Sequence, residues 1–148
     1  MTWKQEPAGQ AMGNPMKFLI VEDDALSAEL LRLHLSAHGT CYVAANGLMA
    51  VEVVRRALEE KDPFDAIFLD IMMPQMNGHE VLEAIRAEEK ERGLDATSRT
   101  KIIMVTALGD ANNIMGAVRQ GCDGYIVKPL REENLLKELG KLGLLQPA

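Results

Sequence analysis

Phe18-Leu19-Ile20-Val21-Glu22-Asp23-Asp24 opens the ordered part of the chain. Four apolar residues without polar alternation mark a strand buried on both faces, and the acids that follow mark where the backbone leaves the sheet. The arrangement recurs three times. Ala66-Ile67-Phe68-Leu69 runs into Asp70, Ile102-Ile103-Met104-Val105 into Thr106, and Tyr125-Ile126-Val127 into Lys128-Pro129. Acid, acid, hydroxyl and amine therefore stand at successive strand ends.

Segments of helical periodicity separate these runs. The pattern predicts helices over about Leu26 to Ala37, closed by Gly39, and over Leu48 to Glu60, with Asn46 or Gly47 near the cap and Pro63 beyond the end. Further helices are predicted over His79 to Arg92, over Asn112 to Gln120, closed by Gly121, and over Glu132 to Leu142, where Gly140 and Gly143 loosen the end. Strands at Cys41 to Ala44 and Gly124 to Val127 complete the series, and the polar stretch Gly93 to Thr100 reads as a longer loop. Strict alternation of β and α segments predicts an α/β fold, a doubly wound, flavodoxin-like (βα)5 parallel sheet with right-handed crossovers. With strand order 2-1-3-4-5, the first and third strands lie side by side where the order reverses, and ligands bind beyond the carboxyl ends of the strands there. The second strand, at the edge, ends in Ala44-Ala45-Asn46 and offers no comparable chemistry.

At 148 residues the chain is long enough for one domain with a real core. Residues 1–15 lack periodicity, hold the single tryptophan, Trp3, and read as a loose tail; residues 16–148 read as the domain. A net charge of −6 recommends no nucleic acid partner. No apolar run approaches the roughly 20 residues of a membrane helix, and the N-terminus has no charged-then-apolar signal pattern. The two cysteines, Cys41 and Cys122, sit far apart and read as small buried hydrophobes in a reducing compartment, so a cytoplasmic location is expected.

Glu22, Asp23 and Asp70 are expected to converge. Two like charges about 4 Å apart repel by roughly 4 kcal/mol at an effective dielectric near 20, so a cation or a proton must relieve them. Hard, closely set oxygens favour Mg2+. Asp24 reads instead as a solvated turn or a helix N-terminal acid. Asp70 has the chemistry of a nucleophile that forms an acyl phosphate, Lys128 that of a compact positive charge beside it, and Thr106 that of a hydrogen-bond donor to a phosphoryl oxygen.

Val21-Glu22-Asp23-Asp24, Asp70-Ile71-Met72-Met73-Pro74-Gln75-Met76-Asn77-Gly78, Val105-Thr106-Ala107 and Gly124-Tyr125-Ile126-Val127-Lys128-Pro129, in this order, resemble the receiver domain of bacterial two-component response regulators. The resemblance covers about Met16 to Leu142. It implies phosphotransfer to Asp70 from a histidine kinase or a histidine phosphotransfer protein. It implies Mg2+ held by Asp23, Asp70 and the backbone carbonyl of Met72, with Glu22 contacting it through water. Thr106 and Tyr125 become switch residues that move inward together. Self-phosphorylation and self-dephosphorylation would serve a binding switch in a phosphorelay, and the resemblance leaves room for a phosphorylation-dependent dimer. Met72 and Leu108, two residues after Asp70 and Thr106, put apolar bulk beside the site and suggest a long-lived phosphoryl group.

After Leu142 only Gly143 to Ala148 remain, so a stand-alone receiver without an output domain is expected, acting on a downstream protein target. Output is expected from the face built by the helix at Asn112 to Gln120, the fifth strand and the last helix, with Gly109 and Gly116 lending pliability or reflecting tight packing. One helix face cannot bury all of Leu26, Leu30, Leu31, Leu33 and Leu35. If Leu30, Leu31 and Leu35 face inward, Leu26 and Leu33 stay outside, and Leu26 either docks the phosphodonor or is covered by neighbouring loops. Three other readings fit less well. A haloacid-dehalogenase-type phosphatase wants a second Asp where Met72 stands. A nucleotide-binding module wants a glycine-rich cradle where Glu22-Asp23-Asp24 stands. A pseudo-receiver scaffold would normally lack a site residue, and none is missing.

Overall fold

The computed structural model describes residues 15–107, 115–116 and 121–145. The elements follow in chain order as β1 (Met16–Val21), α1 (Ala25–Leu35), β2 (Gly39–Ala44), α2 (Gly47–Glu59), β3 (Ala66–Asp70), α3 (Gly78–Glu91), β4 (Lys101–Thr106), β5 (Gly124–Val127) and α4 (Glu132–Lys141). All neighbouring strands are parallel, in the order β2-β1-β3-β4-β5. The expected sheet is therefore the observed one. The predicted tail up to residue 14 with Trp3, Leu108, Gly109, residues 146–148 and most of the predicted helix at Asn112 to Gln120 lie outside the described residues; Met115 and Gly116 within that stretch are helical. No helix among the described residues is long and apolar enough to cross a membrane.

β1, β3 and β4 are buried almost throughout because helices cover both faces of the sheet. Alternate residues feed two cores, as the period of a strand requires. Phe18, Ile20, Phe68 and Ile103 pack with Ala28, Leu31 and Leu35 of α1 and Leu135 and Leu139 of α4. Leu19, Val21, Leu69 and Met104 pack with Val54 of α2 and Val81, Leu82 and Ile85 of α3.

Side chains at the helix starts set the entry of each helix into this sandwich. Asp24 accepts from Ser27 N at 2.9 Å and Ser27 Oγ at 2.7 Å, and so caps α1. Asn46 caps α2 by accepting from Met49 N at 2.8 Å. Asn77 and Glu80 form a reciprocal capping box on α3. Asp24 is thus the helix N-terminal acid that was expected.

Three expectations need correction. Leu30 does not face inward: it is 48% exposed, beside Leu26 at 69% and Leu33 at 57%. Ala28 takes the inward place, because 28, 31 and 35 share one helical face and 26, 30 and 33 share another. Gly39 is the first residue of β2 rather than a helix stop, since a Cβ there would lie 2.5 Å from the Met16 carbonyl oxygen of the paired strand. Cys41 and Cys122 are free thiols, but only partly buried. Burial still pushes the Cys41 thiol up to about 11.

The end of the sheet away from the acid cluster is closed by an ionic network. The Arg86 guanidinium donates to Glu89 Oε1 at 2.7 Å, Thr100 O at 2.8 Å, Gly121 O at 2.9 Å and Asp123 Oδ2 at 2.8 Å. Glu89 Oε2 also accepts from Thr100 N at 2.7 Å, and Asp123 Oδ2 from Ile102 N at 2.9 Å. This ties the polar loop, the start of β4 and the entry to β5 to the last turns of α3. Removing the cation strands Glu89, which is 2% exposed. Arg86→Met should therefore lose about 3–5 kcal/mol in a urea titration, the usual cost of an orphaned buried charge; a loss of only a few tenths would assign the network no stabilising role.

Candidate functional site

The parallel sheet brings four strand ends to one edge. Glu22 follows β1, and its N–H donates to Ala44 O of the edge strand at 3.2 Å. Asp70 closes β3, and the next N–H, of Ile71, donates to Val105 O of β4 at 3.1 Å. Thr106 closes β4, and Lys128 follows β5 with its N–H on Thr106 O at 2.7 Å. The side chains are thus carried by a continuous set of backbone hydrogen bonds.

The carboxylates converge as the sequence suggested. Oxygens of Glu22, Asp23 and Asp70 lie within 4.8 Å of one another. Glu22 and Asp70 are buried, while Asp23 faces solvent. Lys128 Nζ stands 3.2 Å from Glu22 Oε2 and 3.6 Å from Asp70 Oδ2. Asp24 N donates to Glu22 Oε1 at 3.1 Å, and Met72 N donates to Asp70 Oδ1 at 3.1 Å. Thr106 is fully buried, with Oγ1 3.4 Å from the Ala107 carbonyl to which it donates. Tyr125 on β5 is 43% exposed and pairs in register with Met104. The Met72 side chain is exposed, so what that residue brings toward Asp70 is its backbone.

Charge is not balanced in this cluster. Burial pushes the Glu22 carboxyl up to about 7, and the neighbouring Asp70 pushes the same way, against the Asp24 N–H and Lys128. Burial works against the Lys128 ammonium, but the Asp70 and Glu22 carboxylates overcome it and hold its pKa above the ordinary lysine value. Among the described residues, Lys128 pairs with Glu22 and Asp70, while Asp23 brings a third carboxylate to the cluster. A set of hard oxygens short of positive charge, gathered from Glu22, Asp23 and Asp70, fits a magnesium ion.

A groove was not legible in the sequence. A cavity of about 300 Å³ runs from Glu22 and Lys128 along Leu30 and His34 of α1 to Pro129 and Leu130. The sequence left Leu26 and Leu33 outside but placed Leu30, the leucine that lines the groove together with the buried Leu31, inward.

Comparison with known proteins agrees with this geometry. The family profile described as "Response regulator receiver domain" matches residues 18–140. The DNA-binding response regulator MtrA of Mycolicibacterium paratuberculosis is 34% identical over 121 residues, 81% of this chain and 48% of that protein. The receiver domain of Saccharomyces cerevisiae Ssk1, solved in co-crystals with the histidine phosphotransfer signaling protein Ypd1, is similar at 27% identity and a TM-score of 0.74, covering 89% of this chain and 92% of that one. The CheX–CheY–BeF3–Mg2+ complex from Borrelia burgdorferi is similar at 27% identity and a TM-score of 0.73, covering 88% and 91%. The chain spans about half the length of curated relatives such as MtrA and 12% of that of a probable histidine kinase 2 of Oryza sativa.

The Glu22 carboxyl gives the metal-free protein a characteristic pH dependence. Its proton is held more tightly folded than unfolded, so its contribution to stability is complete below its ordinary value of 4.5 and lost as pH rises through about 7. Glu22→Gln should remove that loss. Between pH 5 and 7.5, without Mg2+, the variant should gain on the order of 1–2 kcal/mol relative to wild type. Denaturant titrations across that range check it, and a difference independent of pH would contradict the assignment.

Proposed function

The chain belongs to the response regulator receiver domain family of two-component signalling, and from that premise we propose that Asp70 accepts a phosphoryl group from a phosphohistidine and thereby switches protein contacts. The observation that carries this reading is the meeting of Asp70 with Lys128 at 3.6 Å inside a cluster of three carboxylates. An Asp70 carboxylate oxygen attacks phosphorus as the phosphorus–nitrogen bond of the donor breaks. The imidazole leaves with the bonding pair and takes up a proton. Water later attacks the acyl phosphate, releasing inorganic phosphate and restoring the Asp70 carboxylate. The protein thus speeds its own phosphorylation and dephosphorylation.

Little covalent chemistry is asked of the remaining residues, so positioning and charge do most of the work. Lys128 already lies against Asp70 and offers its charge to an incoming phosphoryl oxygen. Thr106 Oγ1 has only a weak 3.4 Å bond to give up for a phosphoryl oxygen. Asp23, Asp70 and the Met72 carbonyl would hold Mg2+ directly and Glu22 through water. A bound Mg2+ supplies charge that the carboxylates and the phosphoryl group both lack. The similar Borrelia complex, which contains BeF3 and Mg2+, supports that assignment. Thr106 and Tyr125 act as switch residues: Tyr125 stands half-exposed and would turn inward when Thr106 moves. Phosphorylation then shifts an existing equilibrium between two conformations.

The donor is a histidine kinase or a histidine phosphotransfer protein, and the exposed stripe of Leu26, Leu30 and Leu33 is where its helices dock. Leu30 lines the groove that leads to Lys128, so a helix seated there reaches the acceptor. The Ypd1–Ssk1 co-crystal supports this class of donor. The downstream target is a protein. The exchange belongs in the cytoplasm, in keeping with two free thiols. A pseudo-receiver scaffold is disfavoured because Asp70, Lys128, Thr106 and both further acids are present and gathered. A phosphatase is disfavoured because Met72 cannot serve as a general acid.

Incubation with acetyl phosphate and Mg2+ should add one phosphoryl group to the intact mass, and Asp70→Asn should abolish it. An unmodified wild-type protein beside an active donor sinks the reading. Partners retained by beryllofluoride-treated protein but not by Asp70→Asn would define the output. Leu26→Asp should slow transfer from the cognate donor about tenfold, the worth of one well-packed apolar contact, and spare acetyl phosphate labelling. Equal slowing of both reactions would exclude the docking role.

A further inference from the structure

We infer that Gly78 is a positioning residue for Asp70: by lacking a side chain it lets the first turn of α3 close onto the Asp70 backbone, which sets where the carboxylate stands. The inference rests on the reading of Asp70 as the phosphoryl acceptor. A Cβ at Gly78 would lie 2.6 Å from Asp70 O, 2.7 Å from Ile71 Cα and 3.2 Å from Asp70 C, all of them backbone atoms. No side chain is available to move aside. The next peptide, Ile71–Met72, receives the Gly78 N–H on Ile71 O at 2.9 Å.

Neither side of this contact can retreat freely. Asn77 Oδ1 accepts from Glu80 N at 3.1 Å and Glu80 Oε1 from Asn77 N at 3.0 Å, which locks the start of α3. Val81, Leu82 and Ile85 anchor that helix in the core with no exposed surface. On the opposite side, Asp70 is in register with Val105, whose carbonyl accepts the Ile71 N–H at 3.1 Å. The peptide of the acceptor is therefore clamped between β4 and α3. Relief of the collision to an ordinary contact needs a shift of about 0.8 Å, and displacements on the order of 1 Å are costly to catalysis. Lys128, Glu22 and Asp23 ride on other strands and would not follow.

Gly78→Ala tests this, with Gly39→Ala as its partner. A Cβ at Gly39 meets Met16 O at 2.5 Å, an equally hard backbone collision at the opposite end of the sheet. Both variants should melt at lower temperature. Below their transitions, Gly78→Ala should bind Mg2+ more weakly by calorimetry and label on the order of 10- to 100-fold more slowly at saturating acetyl phosphate, with amide shifts altered at residues 70–72. Gly39→Ala should label like wild type. Folded Gly78→Ala with wild-type labelling and Mg2+ affinity overturns the inference. Should Gly78→Ala not fold, Asn77→Ala carries the test: freeing the start of α3 should weaken Mg2+ binding and slow labelling several-fold, and wild-type values would overturn the inference. A wild-type protein that takes up neither Mg2+ nor phosphoryl groups would remove the acceptor reading itself, a result distinct from either variant outcome.

Discussion

The Lys128 ammonium, held between Glu22 at 3.2 Å and Asp70 at 3.6 Å, is the interaction on which the carboxyl edge of the sheet depends. It joins the end of β5 to the ends of β1 and β3 and lets two buried carboxylates stand close together. It is not sufficient. With Asp23 added, the cluster carries more negative charge than one lysine offsets, and burial makes the Glu22 carboxyl reluctant to ionise. A core chosen for stability alone would not leave such a residue imbalance. Under the proposed function a divalent cation and an incoming phosphoryl group are what relieve the deficit.

A site under such repulsion needs a stiff frame. β1 and β3 supply it, since both lie inside the sheet and both are covered by helices. The capping side chains Asp24, Asn46 and Asn77 deliver α1, α2 and α3 at the same edge as the acids, so the helix starts and the strand ends share one set of short connections. At the opposite end, Arg86 gathers the carbonyls of Thr100 and Gly121 with the carboxylates of Glu89 and Asp123. That network anchors the loop before β4 and the entry to β5 far from the acids.

Two surfaces leave that edge with different characters. Along α1 runs the apolar stripe of Leu26, Leu30 and Leu33, continuous with the groove beside Lys128. At the other side Thr106 is buried at the end of β4, with half-exposed Tyr125 on the neighbouring β5. Under the proposed function the first serves arrival of the phosphoryl group and the second reports it. Separation of the two lets a donor and a target be recognised by different chemistry.

Much of this was determined by the sequence alone. Doubly buried runs such as Phe18 to Val21 and Ala66 to Leu69 have no other economical placement than interior parallel strands, and the residue after each run must then appear at the carboxyl edge. The meeting of Glu22, Asp23 and Asp70 follows from that local logic once the strand order 2-1-3-4-5 is taken with the fold. Only the tertiary structure decided the rest. Leu30 and Ala28 compete for the inward face of α1, and the phase of the helix is set by what β1 and α4 leave open. Lys128 leans on Glu22 as well as Asp70, a matter of side-chain reach between strands 106 residues apart in sequence. The approach of Gly78 to the Asp70 carbonyl is invisible in the motif that contains both, because periodicity encodes which face a residue occupies and not how near two backbones pass.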